Sequence, residues 1–551
     1  MREESRIVRA AGQIGVLTLL SRVTGLVRDM LIAGLFGAGS ATDAFFVAFR
    51  IPNLLRRLVG EGASNAAIIP VVTEYVVHHS RAETQAMLRA VFGVTSGALL
   101  LLTGLGIVCA APLVRLFAPG FDPDTLVLAV ALTELTFAYL FWVGLLALAT
   151  GVCHARRHFS APAFAPVLLN TAIIGCALGV SRFLAEPIFS LAYGVVLGGV
   201  LQVAWQIPAL GRLGLLVRPQ WRPRHPAVVR IGGLLVPVVF GAAVYQLGLA
   251  VNTVLASLLG AGGVSALWYA SRLFEFPQGI LVAALASATL PSLAAQAQQG
   301  NLAGLAQSLG FALRLTNTVV VPTSLGLLVL AVPMTASLFF RGAFPADQVV
   351  HTAGILQAFA LGLWPIAVSR LLVSCLYALG DTRTPVRTAG LSLVVHVGLS
   401  LVLMGSLSVA PDASGLARFF GRLSAALAVS DYGLVGLGLA SSLAMAVNML
   451  LLAVVVFRRL PQFPWSACLA SLAWSLLAAA VMAGPVWLVA GQIQWLDPDV
   501  PVFGRLAVLL AAIGVGVVSF GGLMWWARRP DLTALLGLLP ERLLGHLPQR
   551  L

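Results

Sequence analysis

Residues 21–75 read SRVTGLVRDMLIAGLFGAGSATDAFFVAFRIPNLLRRLVGEGASNAAIIPVVTEY. The stretch is mostly apolar and contains two runs of membrane-spanning length, yet it also holds a set of charged side chains: Arg22, Arg28, Asp29, Asp43, Arg50, Arg56, Arg57 and Glu61. A charged side chain at the centre of a bilayer costs about 2.5–3.5 kcal/mol on insertion scales. We therefore expect these groups to face a water-filled cavity, where arginines indicate an anionic cargo.

The composition of the whole chain agrees with a membrane protein. Of its 551 residues, 59% are hydrophobic and only 10% are charged, whereas soluble domains carry about 25% charged residues. The net charge of +14 comes from arginines that are dispersed among apolar runs. Because they do not cluster on one soluble face, a nucleic-acid partner is not expected.

The apolar runs predict the fold class, an all-α polytopic membrane protein. A helix needs about 20 apolar residues to cross the hydrocarbon core, and on that measure about 14 runs qualify. The predicted spans are 14–36, 42–60, 86–112, 125–151, 163–184, 189–210, 232–259, 266–294, 307–338, 349–378, 387–408, 434–457, 467–490 and 503–527.

An internal repeat divides these spans. The sequence FGAGSATDAFFVAFRIP from Phe36 resembles LGAGGVSALWYASRLFEFP from Leu259, and each copy carries an arginine, Arg50 or Arg272. Six spans separate the copies, so we predict two six-helix lobes in a parallel pseudo-two-fold repeat, plus two C-terminal helices. The predicted bounds are an N-lobe, a basic cytoplasmic linker, a C-lobe, a final helix pair and a cytoplasmic amphipathic tail: 1–211, 212–231, 232–460, 461–530 and 531–551.

The distribution of arginine predicts the topology. Arginines concentrate in alternate loops, which places both termini in the cytoplasm by the positive-inside rule. The segment GLARFFGRLSAAL within 411–431 has apolar residues at helical spacing, so it is interpreted as a short amphipathic helix on the periplasmic face.

The charged stretch also carries a specific resemblance. SRVTGLVRD, GAGSATDAFFVAFRIPNLLRRLVGEGA and PVVTEY resemble the N-terminal signature of the MurJ (MviN) family of lipid II flippases, in the multidrug/oligosaccharidyl-lipid/polysaccharide (MOP) exporter superfamily. The resemblance implies a transporter in the bacterial inner membrane rather than an enzyme. It would move undecaprenyl-pyrophosphate-MurNAc-pentapeptide-GlcNAc to the periplasmic leaflet by alternating access. It also implies that the final helix pair holds the lipid tail.

The predicted substrate-binding residues are mostly arginines. A guanidinium stays charged when buried, and its donor fork fits phosphate oxygens two at a time. The resemblance aligns Arg22, Arg28, Arg56 and Arg272 with arginines needed for function in the family. The full predicted set is Arg22, Arg28, Arg50, Asn53, Arg56 and Arg272. The alternative is that neighbouring carboxylates neutralise these arginines, which then only hold helices together.

The predicted gating or ion-pair residues are four carboxylates: Asp29, Asp43, Glu61 and Glu275. The resemblance aligns Asp43 and Glu275 with important acidic positions of the family. Glu275 follows Arg272 by three residues, so the two can pair on one helix face. This pair, or Asp43 with Arg28, is hypothesised to form in one conformation and break in the other. A permanent salt bridge is the alternative. Asn53 and Glu61 either contact the sugar or peptide of the cargo or cap a helix end.

No resident metal or cofactor is predicted. His154 and His158 have a metal-ligand spacing, but two arginines and no glutamate lie between them. Asp381 in ALGDTRTP matches a family motif near which some members are thought to bind sodium, and it is equally suited to cap a helix. Coupling to the membrane potential or to a monovalent cation stays open.

Other functions fit the sequence less well. A cation-coupled drug exporter or another lipid-linked oligosaccharide flippase of the same superfamily is the alternative within transport, although a cationic cargo suits the arginines badly. A membrane glycosyltransferase or ligase needs a base on an outer loop, and 407–433 offers no histidine. The expected partners are lipid II and membrane lipids, with the cell-wall synthesis machinery as a further candidate.

Overall fold

The computed structural model describes residues 2–56, 67–407, 415–460, 462–527 and 531, and over these ranges the chain is built from α-helices without a β-sheet. The first nine helices are α1 Arg2–Phe36, α2 Ser40–Arg56, α3 Ile69–His78, α4 Arg81–Val108, α5 Ala110–Phe117, α6 Pro123–Ala155, α7 Ser160–Gly179, α8 Phe189–Arg212 and α9 Pro226–Ser257. The others are α10 Gly263–Pro277, α11 Ala283–Gln298, α12 Leu302–Val329, α13 Ala331–Phe339, α14 Ala346–Ala378, α15 Arg383–Leu403, α16 Gly415–Leu427, α17 Gly433–Arg459, α18 Trp465–Ala490 and α19 Val502–Trp526.

The predicted fold class, an all-α polytopic membrane protein, is confirmed, whereas the count of about 14 spans stays a prediction. Ten of the described helices are long and apolar enough to cross a membrane. Most helical segments follow the predicted apolar runs, but no predicted span covers α3. The structure adds breaks that hydropathy does not show. The run predicted as one helix at 86–112 is interrupted at Cys109, and the run at 307–338 is interrupted at Leu330. The predicted amphipathic helix is α16.

The internal repeat extends well beyond the turn that revealed it. Helices α4 and α12 are both 28 residues long, and each is followed by a one-residue break and a short helix of 8 or 9 residues. Helices α6 and α14, which come next, are both 33 residues long. Length and order therefore agree between copies that are about 220 residues apart.

The chain forms two compact units. The first comprises 1–265 with 409–419, and the second comprises 266–408 with 420–551. The first unit therefore includes α9, which packs on α2, α4 and α5. The domain bounds given by the sequence remain a prediction. The tail at 531–551 lies outside the described residues except for Asp531, which pairs with Arg314 at 3.4 Å.

Each unit has a core of aromatic side chains. In the first, the rings of Phe45 and Phe49 stack at 5.9 Å, and Phe49 contacts Tyr139 at 6.4 Å. In the second, Tyr269 lies 4.9 Å from Phe339 and is completely buried. Lipid is as apolar as these rings, so close van der Waals packing rather than exclusion of water stabilises such cores.

The linker between the lobes lies along α4. The Gln220 backbone N–H donates to Arg89 O at 2.8 Å. A Cβ at Gly93 would overlap the Gln220 backbone, and a Cβ at Gly97 would overlap the Trp221 ring. The two glycines thus provide the space in which this segment is seated.

Candidate substrate-binding site

Arg28 forms a buried ion pair in the first unit. Only 5% of the residue is exposed. Its Nε and Nη2 donate to Asp29 Oδ1 at 3.0 and 2.7 Å, and its Nη1 donates to Asn170 Oδ1 at 3.0 Å. Asn170 also donates to Ser21 O at 3.2 Å. The charge is therefore neutralised by its neighbour in sequence and fixed in direction by α7.

Arg50 and Arg56 lie along α2 in the same unit. Arg50 Nη1 donates to Leu249 O at 3.3 Å and to the Thr253 hydroxyl, both on α9. Arg56 Nε donates to Asn53 Oδ1 at 2.7 Å. The spacing of Asn53 and Arg56 on one helix face explains their bond, while the Arg50 contacts depend on the packing of α9.

Asp43 lies at the other end of α2, about 20 Å from Arg56 at 1.5 Å per residue. Its Oδ2 accepts from Gly262 N–H at 2.7 Å, and its Oδ1 accepts from the Ser265 N–H at 2.7 Å and the Ser265 hydroxyl at 2.5 Å. Gly262 has a φ of +85°, which a side chain would disfavour. Asp43 thus joins α2 to the α9–α10 turn within the first unit.

Arg272 and Glu275 belong to α10 in the second unit. Arg272 Nη1 is 2.9 Å from Glu275 Oε2, and the two side chains are 30% and 44% exposed. The guanidinium also lies over the Trp268 ring, 4.9 Å from its centroid. The helix continues into a five-residue π-helical segment, Gln278–Val282. Such segments often occur at functional sites.

Two predicted residues, Arg22 and Glu61, and the two predicted ion pairs remain to be placed. Arg22 is half-buried on α1, six residues before Arg28. Glu61 lies outside the described residues. The pairing of Arg28 with Asp43 is not the one present here, because Arg28 pairs with Asp29 and Asp43 with the α9–α10 turn. The pairing of Arg272 with Glu275 is confirmed.

Comparison with known proteins assigns the chain to a family. The family model described as "Lipid II flippase MurJ" matches residues 32–500. The chain belongs to the MurJ family. A lipid II flippase MurJ of Burkholderia cenocepacia is 36% identical over 525 residues, covering 94% of this chain and 97% of the relative. A probable lipid II flippase MurJ of Vibrio cholerae is 33% identical, covering 96% and 98%.

Solved structures agree on the fold. A lipid II flippase MurJ in an inward closed conformation matches with a TM-score of 0.74 at 23% identity, covering 94% of this chain and 99% of that one. A multidrug resistance MATE family transporter in an inward-facing conformation matches with a TM-score of 0.60 at 14% identity, covering 84% and 95%. The MurJ family thus shares its fold with transporters of the MOP superfamily, and its members are transporters rather than enzymes.

The sequence did not predict the partners of the charged groups of Arg28, Arg50 and Asp43. Asn170, Thr253 and Ser265 are uncharged, and each is separated from the charge that it contacts by more than 140 residues. The available signal was an isolated polar residue within an apolar run, as in LLNTAII for Asn170. That signal indicates burial against another helix but does not identify which one.

Asp381, which precedes α15, has the geometry of a helix cap. Its carboxylate accepts from the N–H groups of Arg383 and Thr384 at 3.1 and 3.0 Å and from the Thr384 hydroxyl at 2.7 Å. Arg459 Nη2 donates to it at 2.8 Å. The Thr384 bonds, with help from Arg459, hold the pKa of Asp381 well below its usual range. Of the two sequence interpretations, the capping contact is the one present.

Proposed function

We propose that this chain moves lipid II from the cytoplasmic to the periplasmic leaflet of the bacterial inner membrane, with both termini in the cytoplasm. Membership of the MurJ family over most of the chain supports the cargo. The observation that carries the proposal is Arg28, a buried guanidinium within a span-length helix. Burying such a charge is costly, and an anionic cargo gives it a purpose beyond joining helices.

The headgroup would bind through its pyrophosphate. That group carries about two negative charges and several acceptor oxygens, which suit the paired donors of guanidinium groups. In the first unit, the donors would be Arg22, Arg28, Arg50 and Arg56 with Asn53. In the second unit, considered by itself, the donor would be Arg272. In this proposal the pyrophosphate takes the place of Asp29 beside Arg28.

Alternating access would require contacts that open and close. Asp43 is suited to this role because its three hydrogen bonds hold the α9–α10 turn. The Arg272–Glu275 pair is the second candidate, since both groups remain partly exposed. An inside-negative potential favours outward movement of an anion by about 2.3 kcal/mol per charge per 100 mV, and a coupled monovalent cation is the other energy source considered.

The final helices would hold the polyprenyl tail. Helices α18 and α19 pack on each other, and α18 packs on α12. Their outer faces carry exposed large apolar side chains: Leu476, Val481, Leu488, Leu510, Val517 and Val518. Such an apolar face suits the tail better than it suits any polar part of the cargo. As a separate part of the proposal, contact with the cell-wall synthesis machinery would bring the transported lipid to its next step.

The test is a comparison of matched variants in cells depleted of their own lipid II flippase, with outward movement of lipid II measured and membrane levels checked. Arg28→Leu/Asp29→Leu removes both charges of the buried pair together. Replacing a whole buried pair by apolar groups is often neutral for stability. We expect the wild type to restore flipping and the inserted double variant to lose it.

Each of two other outcomes would contradict one part of the proposal. If the double variant flips lipid II normally, the pair is only structural and the arginine mechanism fails. If the inserted wild type does not move lipid II, the cargo assignment fails. Another lipid-linked oligosaccharide flippase or a cation-coupled exporter of the superfamily would then be the better assignment.

A further inference from the structure

A cavity with several basic lining residues lies in the first unit, and its lining includes none of the predicted substrate-binding or gating residues. Its volume is about 420 Å³, and it opens where α3 and the start of α4 meet the ends of α6 and α8. The lining residues are Val76, His79, Arg81, Thr84, Arg156, Gly211, Arg212, Leu213, Gly214 and Leu215. Since α8 leads directly into the basic linker, the cavity lies on the side predicted to be cytoplasmic.

Part of the wall of this cavity is formed by contacts between α4 and the end of α8. Gly214 ends α8 with a φ of +68°, and Leu215 N–H donates back to Leu210 O at 3.0 Å, as in a glycine-terminated helix. Gln85 Nε2 on α4 donates to Gly214 O at 3.1 Å. The Arg81 guanidinium rests against Gly214, where any Cβ would overlap it. Glycine thus allows an arginine of α4 to lie against the end of α8.

Three arginines of the lining concentrate positive charge. Arg81, Arg156 and Arg212 are exposed, and none forms a salt bridge with a carboxylate of the described chain. Like charges around one cavity repel each other, and this repulsion is relieved by a bound anion.

The nearby carboxylates are engaged elsewhere. Glu83 accepts from the Ser80 N–H and hydroxyl at 2.8 and 2.7 Å, and these bonds lower its pKa. Glu74 pairs with Arg230 at 2.7 Å. The remaining titratable group of the lining is His79, whose ring stacks on Tyr75 at 4.2 Å. The side chains that line the cavity therefore carry a net positive charge at neutral pH.

We propose that this cavity binds a phosphate group. Guanidinium forks match phosphate oxygens, and each of the charged oxygens of a phosphate group accepts more than one hydrogen bond. The cavity volume falls within the range of small-molecule sites. The phosphate belongs either to the headgroup of an anionic membrane lipid or to a soluble phosphate compound. The proposal does not depend on the cargo of the transport pathway.

The experiment uses the full chain in a neutral detergent and measures dissociation constants by calorimetry. The probes are short-chain phosphatidylglycerol, phosphatidylcholine of the same chain length, and inorganic pyrophosphate. The test variant is Arg81→Gln/Arg212→Gln. The matched control is Arg218→Gln/Arg224→Gln, which removes the same charge from exposed linker positions outside the cavity.

We expect at least one anionic probe to bind the wild type more tightly than phosphatidylcholine. Loss of two charge-assisted contacts should weaken that binding about tenfold or more in the test variant, whereas the control should stay within about twofold of the wild type. Binding of phosphatidylglycerol but not pyrophosphate identifies a lipid source, and the reverse identifies a soluble one. Either supports the site.

Two results would overturn the proposal: no preference of the wild type for an anion, or equal weakening in the two double variants. If the test variant does not fold, Arg156→Gln provides a change at another wall of the cavity. It should weaken anion binding by about threefold or more while the unliganded melting temperature is kept. Unchanged affinity in a folded Arg156→Gln protein would also reject the site.

Discussion

The two copies of the repeat use charge in different ways. In the first copy, Arg28 reaches Asn170 across 142 residues and Asp43 reaches Ser265 across 222. In the second, Arg272 pairs with Glu275 three residues away and lies over Trp268 of the same helix. The Arg28–Asp29 side chains are 7% and 1% exposed, compared with 30% and 44% for Arg272–Glu275.

The difference in exposure has an energetic consequence for each ion pair. A buried pair cannot lose one member without leaving an uncompensated charge, whereas an exposed pair exchanges its partner for water at little cost. Without a competing anion, Arg28 and Asp29 are therefore expected to stay paired, whereas Arg272 and Glu275 are expected to exchange partners readily.

The largest expected effect comes from removing one member of the buried pair. Asp29→Ala should lower the free energy of unfolding by about 3–5 kcal/mol, because Arg28 stays buried without its carboxylate. Glu275→Ala is the matched change in the other copy and should cost about 0.5 kcal/mol or less. Unfolding in mixed micelles of increasing SDS content measures both, and similar losses would contradict the contrast between the copies.

Asp43→Ala should have the next largest effect. It removes a carboxylate that accepts three hydrogen bonds from Gly262 and Ser265, at a cost of about 2–4 kcal/mol. Hydrogen exchange of the Gly262 and Ser265 amides should become faster. Asp43→Asn keeps the size and one acceptor oxygen, so its effect should be intermediate. Unaltered amide exchange in the alanine variant would refute the role of Asp43 in holding this turn.

A smaller effect is expected at one matched turn. Arg157 after α6 has a φ of +57°, and Gly380 after α14 has a φ of +76°. Because left-handed backbone disfavours a Cβ, Gly380→Ala should destabilise by about 1 kcal/mol, although a Cβ there has open space. Arg157→Gly should be more stable than Arg157→Ala by a similar amount. Equal stability of these two Arg157 variants would show that the turn is not strained.

The smallest effect is expected at Asp381, and it should disappear at acid pH. The folded pKa of Asp381 lies below the ordinary value of 3.8, so its stabilising contribution is full above about pH 5 and is lost as the pH falls through the folded pKa. The stability difference between wild type and Asp381→Asn should therefore shrink on acidification. Thr384→Val removes a donor and should weaken this pH dependence. The matching turn of the first copy holds His158, and α7 lacks a side-chain cap.

Much of the fold was predictable because a membrane helix is specified by a local property, its apolar length. The order of the spans and the repeat follow from hydropathy and from the two G-A-G turns. The breaks at Cys109 and Leu330 were not predictable, since each lies within a continuous apolar run. A single residue leaves helical geometry there without any change in composition.

The site was predictable where its contacts are local. The spacing of Arg272 and Glu275 was sufficient to predict their bond, because three residues place two side chains on one helix face. The partners of Arg28, Arg50 and Asp43 depend on which helices pack together, and no local rule identifies Asn170 or Thr253. Arg28 was predicted as a partner of Asp43, but Asp43 accepts instead from the Gly262 N–H and from the N–H and hydroxyl of Ser265.

The seating of the linker on α4 has a mechanical consequence. The linker segment is anchored to α4 by the Arg89–Gln220 bond and by its close packing at Gly93 and Gly97. We expect it to move together with α4. The linker therefore connects α8 to α9 through a segment that is fixed to α4. The next link of the chain is the short turn with Gly260 and Gly262, both at positive φ. We expect any rotation along this part of the backbone to be concentrated at that turn. Bulky substitutions at Gly93 would then weaken the contact of the linker with α4, and those at Gly260 would restrict rotation at the turn.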